Sequence, residues 1–424
     1  MYGRMGLGWT LSGQAIQGRS MNLGDKRMLG GRFEEGDYLE PVIKAHIVKS
    51  DDPNAPKVDA VLTFGMFQTN GNFLSLLTSN DLRTLNIELF QGFIEAQNVL
   101  LPGLTLWTGA RQYRGADIHM ADYFYFNDLS SQGAGAKYKG IDVAVLLQTA
   151  KNTFYGADLN GDDTEDIRRQ RTLFVGQYVH DLPFNKSTVH GLAELHLVPE
   201  LRRGESPGVA GRPSDYGWVL GAKLHLDLEK GNFNDVSVRY GSRIANGAAG
   251  GANTFTTFGS PTEDGHYDYG AYGLEVVDHF LWNFGRTLTL NAFGLLTMSK
   301  GARGEAPAAL PGTPAPTPDS RMNFAVGGRT TLYAHDNFHL LNELTFQGRK
   351  DEGLDMGTAV KFSVVPTIVP TGERSMWARP HFRLIYTAGF YNQAAVDQLM
   401  SPFLQTVGPT KAVHYLGTRT EWWF

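Results

Sequence analysis

From Trp218 onward the chain alternates. Trp218, Leu220, Ala222, Leu224, Leu226 and Leu228 are apolar, and between them, Val219 apart, stand Gly221, Lys223, His225, Asp227 and Glu229. A strand sends successive side chains to opposite faces, so this segment reads as a strand with one apolar face and one that must meet water. Lys230-Gly231-Asn232 supplies a turn, after which Val236, Val238 and Tyr240 alternate with Asp235, Ser237 and Arg239. That is a hairpin of the same two-faced kind. Similar runs occupy Ile141–Ala150, Arg286–Thr297, Phe338–Arg349, Ala378–Ala388 and Ala412–Phe424. Several approach the ~9–11 residues that a tilted membrane strand needs.

A soluble sandwich with one wet face alternates in the same way. The end of the chain favours a membrane barrel. It closes Glu421-Trp422-Trp423-Phe424, and a last strand ending on an aromatic residue is typical of outer-membrane barrels. Irregular stretches at Gly115–Gly140, Gly156–Arg169 and the Pro-, Ala- and Gly-rich Gly301–Ser320 interrupt the strands, and Ala394–Gln405 has room for a short helix. Tight turns at one end and long loops at the other accommodate them. Neither an internal repeat nor a linker divides residues 1–424, which read as a single barrel domain.

Composition narrows the reading. Fifty Gly among 424 residues, with 25 Phe, 17 Tyr and 7 Trp, suit many short strands closed by tight turns. A net charge of -5 excludes a broadly basic nucleic-acid binder. With no Cys, disulfides and thiolate metal sites are unavailable. No run approaches the ~20 apolar residues of a membrane helix. Mean hydropathy falls on the polar side of zero, which a barrel tolerates because only alternate residues meet lipid. Met1 is read as the start of the mature chain, an export leader having been removed.

Several stretches resemble the maltoporins, the sugar-specific trimeric porins of the bacterial outer membrane. They are Tyr2-Gly3-Arg4-Met5-Gly6-Leu7-Gly8-Trp9-Thr10, Leu101–Arg111 followed by Asp117-Ile118-His119-Met120-Ala121-Asp122-Tyr123, Gly133-Ala134-Gly135, Lys230–Tyr240 and Met376-Trp377-Ala378-Arg379-Pro380. The resemblance implies an all-β, eighteen-stranded antiparallel transmembrane barrel. It also implies a constriction loop folded inward (residues 114–140), a Pro-rich outer loop (301–320), a homotrimer in lipid and lipopolysaccharide, and diffusion of maltose and maltodextrins.

Maltoporins carry a helical path of lumen aromatics on which sugar rings stack, and the matching residues here are Tyr2, Tyr38, Phe233, Trp377 and Trp423. A lumen aromatic must share strand parity with polar residues. Tyr2 does so with Arg4; Tyr38 with Glu40, Lys44 and His46; Phe233 with Asp235, Ser237 and Arg239. Trp377 is in step with Arg379, His381 and Arg383, and Trp423 with Arg419 and Glu421. Trp9, Tyr240, Tyr386, Trp422 and Phe424 have the opposite parity and read as girdle residues at the lipid headgroups.

A sugar has a C–H face that aromatic rings desolvate and a hydroxyl edge that charged groups hydrogen-bond. Arg4 and Glu40 match the family's ionic track, and Asp117, His119 and Asp122 its constriction loop, His119 as either loop anchor or sugar contact. The chain also departs from the family. Where a neighbouring subunit's Trp opens the path, Asn80-Asp81-Leu82-Arg83 has none, so Leu82 or Phe73 would substitute. Phe124 stands where a tyrosine hydroxyl is expected. One constriction arginine aligns near Phe90 and another near Gly115, beside Arg114. The polar track is thinner, or the alignment slips by a residue.

The acidic loop Asp158–Asp166 offers oxygen ligands suited to Ca²⁺ but lacks EF-hand spacing, so a solvated outer loop is preferred to a structural calcium site. No other cofactor is implied. The 12 His show no zinc spacing, and no nucleophile motif supports a hydrolase. A sugar porin is therefore expected. The alternatives are a porin for other solutes or of general diffusion, and a soluble carbohydrate-binding protein.

Overall fold

A computed structural model describes residues 1–11, 19–24, 29–68, 73, 85–148, 156–157, 167–201, 213–248, 256–303 and 318–423. Nearly all of the regular structure is one antiparallel sheet closed on itself. Its strands are β1 (Tyr2–Thr10), β2 (Tyr38–Glu40 and Val42–Val48), β3 (Lys57–Gln68), β4 (Leu85–Gln97), β5 (Thr105–Arg111) and β6 (Ser131–Tyr138). Next come β7 (Ile141–Gln148), β8 (Arg171–Asp181), β9 (Thr188–Val198), β10 (Asp215–Asp227), β11 (Phe233–Arg243) and β12 (Tyr272–Phe284). The last are β13 (Leu288–Lys300), β14 (Ser320–His335), β15 (Phe338–Asp351), β16 (Gly357–Ile368), β17 (His381–Tyr391) and β18 (Ala412–Trp423).

Each strand pairs with the next, and β18 returns to β1 with Tyr2 opposite Trp423 and Thr10 opposite Tyr415. The barrel has 18 strands, because the two pieces of β2 are one strand interrupted at Pro41, which has no N–H to give to the ladder. Closure removes every sheet edge.

The two faces invert the usual rule. Leu220, Val236, Val238, Leu344, Phe346, Phe382 and Leu384 are exposed on the outside, while Arg239, Glu275, Glu343, Lys361 and Arg383 are buried inside. Burying so many charges is expensive unless they are paired. They are: Arg239 meets Glu275 at 2.8 Å, Arg329 meets Glu343 at 2.6 Å and Lys361 meets Glu34 at 2.8 Å. A continuous apolar exterior over a paired ionic interior suits lipid outside, and the soluble-sandwich alternative falls. Among the described residues no helix is long and apolar enough to cross a membrane; this chain crosses with strands.

Three expectations need correction. The irregular stretch Gly115–Gly140 contains β6, whose Gly-Ala-Gly-Ala core hides the alternation. Small residues are needed there, since a Cβ on Gly135 would come within 2.4 Å of Trp107 Nε1. The run from Ala378 becomes strand only at His381, because residues 375–378 form a turn and Pro380 lacks a ladder donor. Ala394–Gln405 holds two helices rather than one: α1 (Gln393–Asp397), capped by Asn392, and α2 (Pro402–Val407), capped by Ser401. The acidic loop Asp158–Asp166, most of Gly301–Ser320, Leu82 and Phe424 lie outside the described residues.

Candidate lumen site

β5 has only seven residues, and at its end the chain leaves the wall. Residues 112–130 cross to the far side of the barrel. There the Tyr123 hydroxyl donates to Glu275 Oε2 and the Tyr125 hydroxyl to Asp235 Oδ2, each at 2.9 Å, and the Phe126 N–H donates to Glu275 Oε1 at 3.1 Å. Glu275 and Asp235 belong to the inner faces of β12 and β11, so this segment lies within the bore. Its own Ile118, Met120, Tyr123, Tyr125 and Leu129 are buried. Residues 19–24 and 29–37 also fold onto the inner wall. The Leu23 N–H donates to Gln347 Oε1 at 2.9 Å, the Tyr391 hydroxyl to Met21 O at 2.6 Å, and Phe33 lies under the Arg329 guanidinium at 4.6 Å.

Between these stretches and strands β1, β2, β4, β5 and β6 lies a cavity of about 860 Å³. It brings together nine of the residues singled out in the sequence: Tyr2, Arg4, Tyr38, Glu40, Arg114, Asp117, His119, Asp122 and Phe124. Strand pairing explains the first four. Tyr2 faces Glu40 and Arg4 faces Tyr38 across β1 and β2, all on the inner face. The Tyr2 and Tyr38 rings stand 5.8 Å apart, the Tyr38 hydroxyl donates to Glu40 Oε2 at 2.6 Å, and Arg4 lies 5.4 Å over the Tyr38 ring.

Arg4 also pairs with Glu35 at 2.6 Å, and Arg32 joins Glu35 (2.5 Å) to Asp122 (2.8 Å). Burial would raise the Glu35 carboxyl, but Arg32 and Arg4 outweigh it and hold it at about 2. Arg114 lies 4.0 Å over the Phe124 ring. The charged wall is therefore pre-formed, with cations and anions alternating beside the tyrosines.

The other three predicted aromatics stand apart from this cavity. Trp423 is next to Tyr2 on the inner ladder, but Arg379 covers its ring at 3.8 Å and His119 meets it edge-on at 5.4 Å. Trp377 lies 6.0 Å from His119. His119 thus wedges between the two indoles, which anchors the loop, and it still lines the cavity. Trp377 reaches this place from a turn, so the parity count through Arg379 and His381 does not apply to it. Phe233 belongs to a separate group with His225 at 6.2 Å and His279 at 5.1 Å.

Arg32, Phe90 and Arg111 also line the cavity and were missed as site residues, Arg32 for want of any local signal. Phe73 is buried with its N–H donating to Asp37 Oδ2 at 2.8 Å, so it is not presented to a neighbouring subunit. Among the described residues no group of three or more His, Asp or Glu is placed to hold a metal ion.

Burial and the neighbouring Asp122 raise the Asp117 carboxyl to about 6, whereas burial lowers His119 to about 3. Asp117 is then charged at neutral pH and protonated below its raised value, while His119 stays neutral throughout. Cation preference should fall as pH drops from about 7.5 to about 5, by loss of one lumen charge. Reversal potentials in a salt gradient measure this, and Asp117→Asn should remove the step.

A closed antiparallel barrel with an apolar exterior, a charged bore and a segment folded across it defines a porin of the bacterial outer membrane, a channel for diffusion. A family model described as LamB porin matches residues 1–424. The chain belongs to the LamB porin family, as the maltoporin resemblance implied. Among solved structures it is similar to OmpT, an outer membrane protein of Vibrio cholerae (10% identity, 99% of this chain and 96% of that one, TM-score 0.39). It is also similar to the outer membrane channel DcaP of Acinetobacter baumannii (7%, 99% and 96%, 0.46) and to OpdL of Pseudomonas aeruginosa (10%, 99% and 96%, 0.46). These overlaps are too loose to carry weight, and membership rests on the family match.

Proposed function

We propose that this porin passes sugars, in particular linear oligosaccharides of the maltose and maltodextrin type, as a homotrimer seated in outer-membrane lipid and lipopolysaccharide. The observation that carries this reading is the Tyr2–Tyr38 pair, 5.8 Å apart, set in a cavity whose wall also carries Arg4, Arg32, Arg114, Glu40, Asp117 and Asp122. Aromatic rings accept the C–H face of a pyranose, and Arg4, Arg32, Glu40, Asp117 and Asp122 accept or donate at its hydroxyl edge. Each contact is weak and repeated, so a sugar can leave as well as enter. The segment 112–130, held to β11 and β12 by its tyrosines, narrows the passage. Transport by this route is passive and needs no catalytic group.

A second reading, a porin for other sugars or of general diffusion, draws support from Phe124, which supplies no hydroxyl at the loop. Ion current through reconstituted channels in planar bilayers separates the two. Maltotriose and maltohexaose should block it reversibly, at lower concentration than sucrose does. Current indifferent to all three would reject the sugar reading and leave a general-diffusion porin.

A further inference from the structure

The most informative irregularity in the wall is a β-bulge. Along β3 and β4 the register runs Thr63 to Gln91 and then Phe64 to Leu89, leaving Phe90 without a partner. A bulge puts two consecutive residues on one face. The outward set shows the phase slip: Ile87 and Ile94 are both exposed although they stand seven positions apart, a spacing that would put them on opposite faces of a regular strand. Phe90 and Gln91 therefore both point inward. Gln91 is tied down, its Nε2 donating to Thr63 Oγ1 at 3.0 Å and its Oε1 accepting from the Gln112 N–H at 3.2 Å. Phe90 has no such duty, and its ring lines the cavity.

Two further contacts fix that ring. Its far end rests on the backbone of β3 where Gly65 leaves room: a Cβ there would lie 2.2 Å from Phe90 Cζ. Beside it stands Tyr38, with ring centroids 6.4 Å apart and planes only 26° from parallel. Rings in full face contact are separated by about 3.5–4 Å, so at this spacing each leaves most of its face uncovered by the other. Phe90, Tyr38 and Tyr2 thus form an unbroken aromatic strip along one side of the cavity.

We propose that Phe90 is a sugar-stacking residue, extending the Tyr2–Tyr38 platform by one pyranose ring, with the bulge and Gly65 as the devices that present it. This rests on the sugar-channel reading and adds to it a specificity-determining residue. Phe90 offers no hydrogen bond, so it selects for the C–H face of a neutral sugar unit rather than for its hydroxyls.

The test is current block by maltotriose and maltohexaose in planar bilayers for wild type, Phe90→Ala, Phe90→Leu and Phe90→Trp, using preparations that migrate as folded barrels. Loss of one aromatic contact should weaken maltohexaose binding by about threefold to tenfold in Phe90→Ala and Phe90→Leu. Phe90→Trp should restore it, and salt conductance should not fall in the two smaller variants. Leucine keeps an apolar side chain on Gly65 without a ring, so weakened block in Phe90→Leu cannot come from lost wall packing. Block as strong in Phe90→Ala and Phe90→Leu as in wild type would overturn the proposal while leaving the sugar reading intact. A wild-type channel that no sugar blocks would overturn both. Gly65→Ala gives an independent check, because it keeps the ring but pushes it off the wall, and it too should change the block; an unaltered block would count against the proposal.

Discussion

Replacing Glu421 by alanine should destabilise the barrel by about 3–5 kcal/mol, the usual cost of breaking a buried ion pair from one side. Its carboxylate is buried on the inner face of β18 and accepts three hydrogen bonds: from Arg379 Nε at 2.8 Å, from Arg383 Nη2 at 2.5 Å and from the Tyr2 hydroxyl at 3.1 Å. Removing it leaves two buried guanidinium groups without a counter-charge and a tyrosine without its acceptor. Arg379 lies over Trp423 and the Tyr2 ring packs at a tilt against Tyr38, so sugar block should weaken in the same variant. Unfolding in guanidinium, followed by the loss of strand signal and of the folded band on gels, reads the stability. Glu421→Gln keeps the shape and an acceptor oxygen, and should lose less. An unchanged midpoint for the alanine variant would mean that lumen water already solvates both arginines.

The second large effect belongs to the outside. Leu344 sits midway along β15, exposed, with Gly328 and Phe362 as its cross-strand neighbours. Arginine there should cost about 2–4 kcal/mol, the penalty for a cation near the bilayer midplane, whereas Leu344→Met conserves volume and should cost under about 1.5 kcal/mol. Folding yield into vesicles and the unfolding midpoint measure the difference. Equal behaviour of the two variants would place Leu344 in water.

Both expectations trace to the alternation that was legible in the sequence. It was legible because lipid and lumen are such different solvents that each strand must sort its side chains, as Phe382 and Leu384 against His381 and Arg383 show. What defeats parity counting is any break in the strand. Trp377 lies beyond such a break, in a turn where its N–H donates to Ser375 Oγ at 3.1 Å, and its place beside His119 follows from that turn. Phe90 depends on a register step that only the partner strand β3 reveals.

Small residues conceal β6 because alternation needs side chains large enough to differ. Arg32 was beyond reach altogether, since its bond to Asp122 joins two loops that only the closed barrel brings together. The candidate site was therefore readable by parity where it rides on strands that keep their register, at Tyr2, Arg4, Tyr38 and Glu40. Where loops complete it, Arg114, Asp117, His119, Asp122 and Phe124 were reached only through the family resemblance, and Arg32 not at all.

The absence of cysteine makes one measurement especially direct. With Tyr38→Cys and Leu344→Cys as single-cysteine variants, a charged, membrane-impermeant thiol reagent is added to channels conducting in a bilayer. The account predicts that current through Tyr38→Cys falls and that maltotriose slows the reaction. Leu344→Cys should ignore the reagent and be labelled only by a lipid-soluble maleimide. Modification of Leu344→Cys from the bore, or of Tyr38→Cys at a rate that no sugar alters, would contradict it.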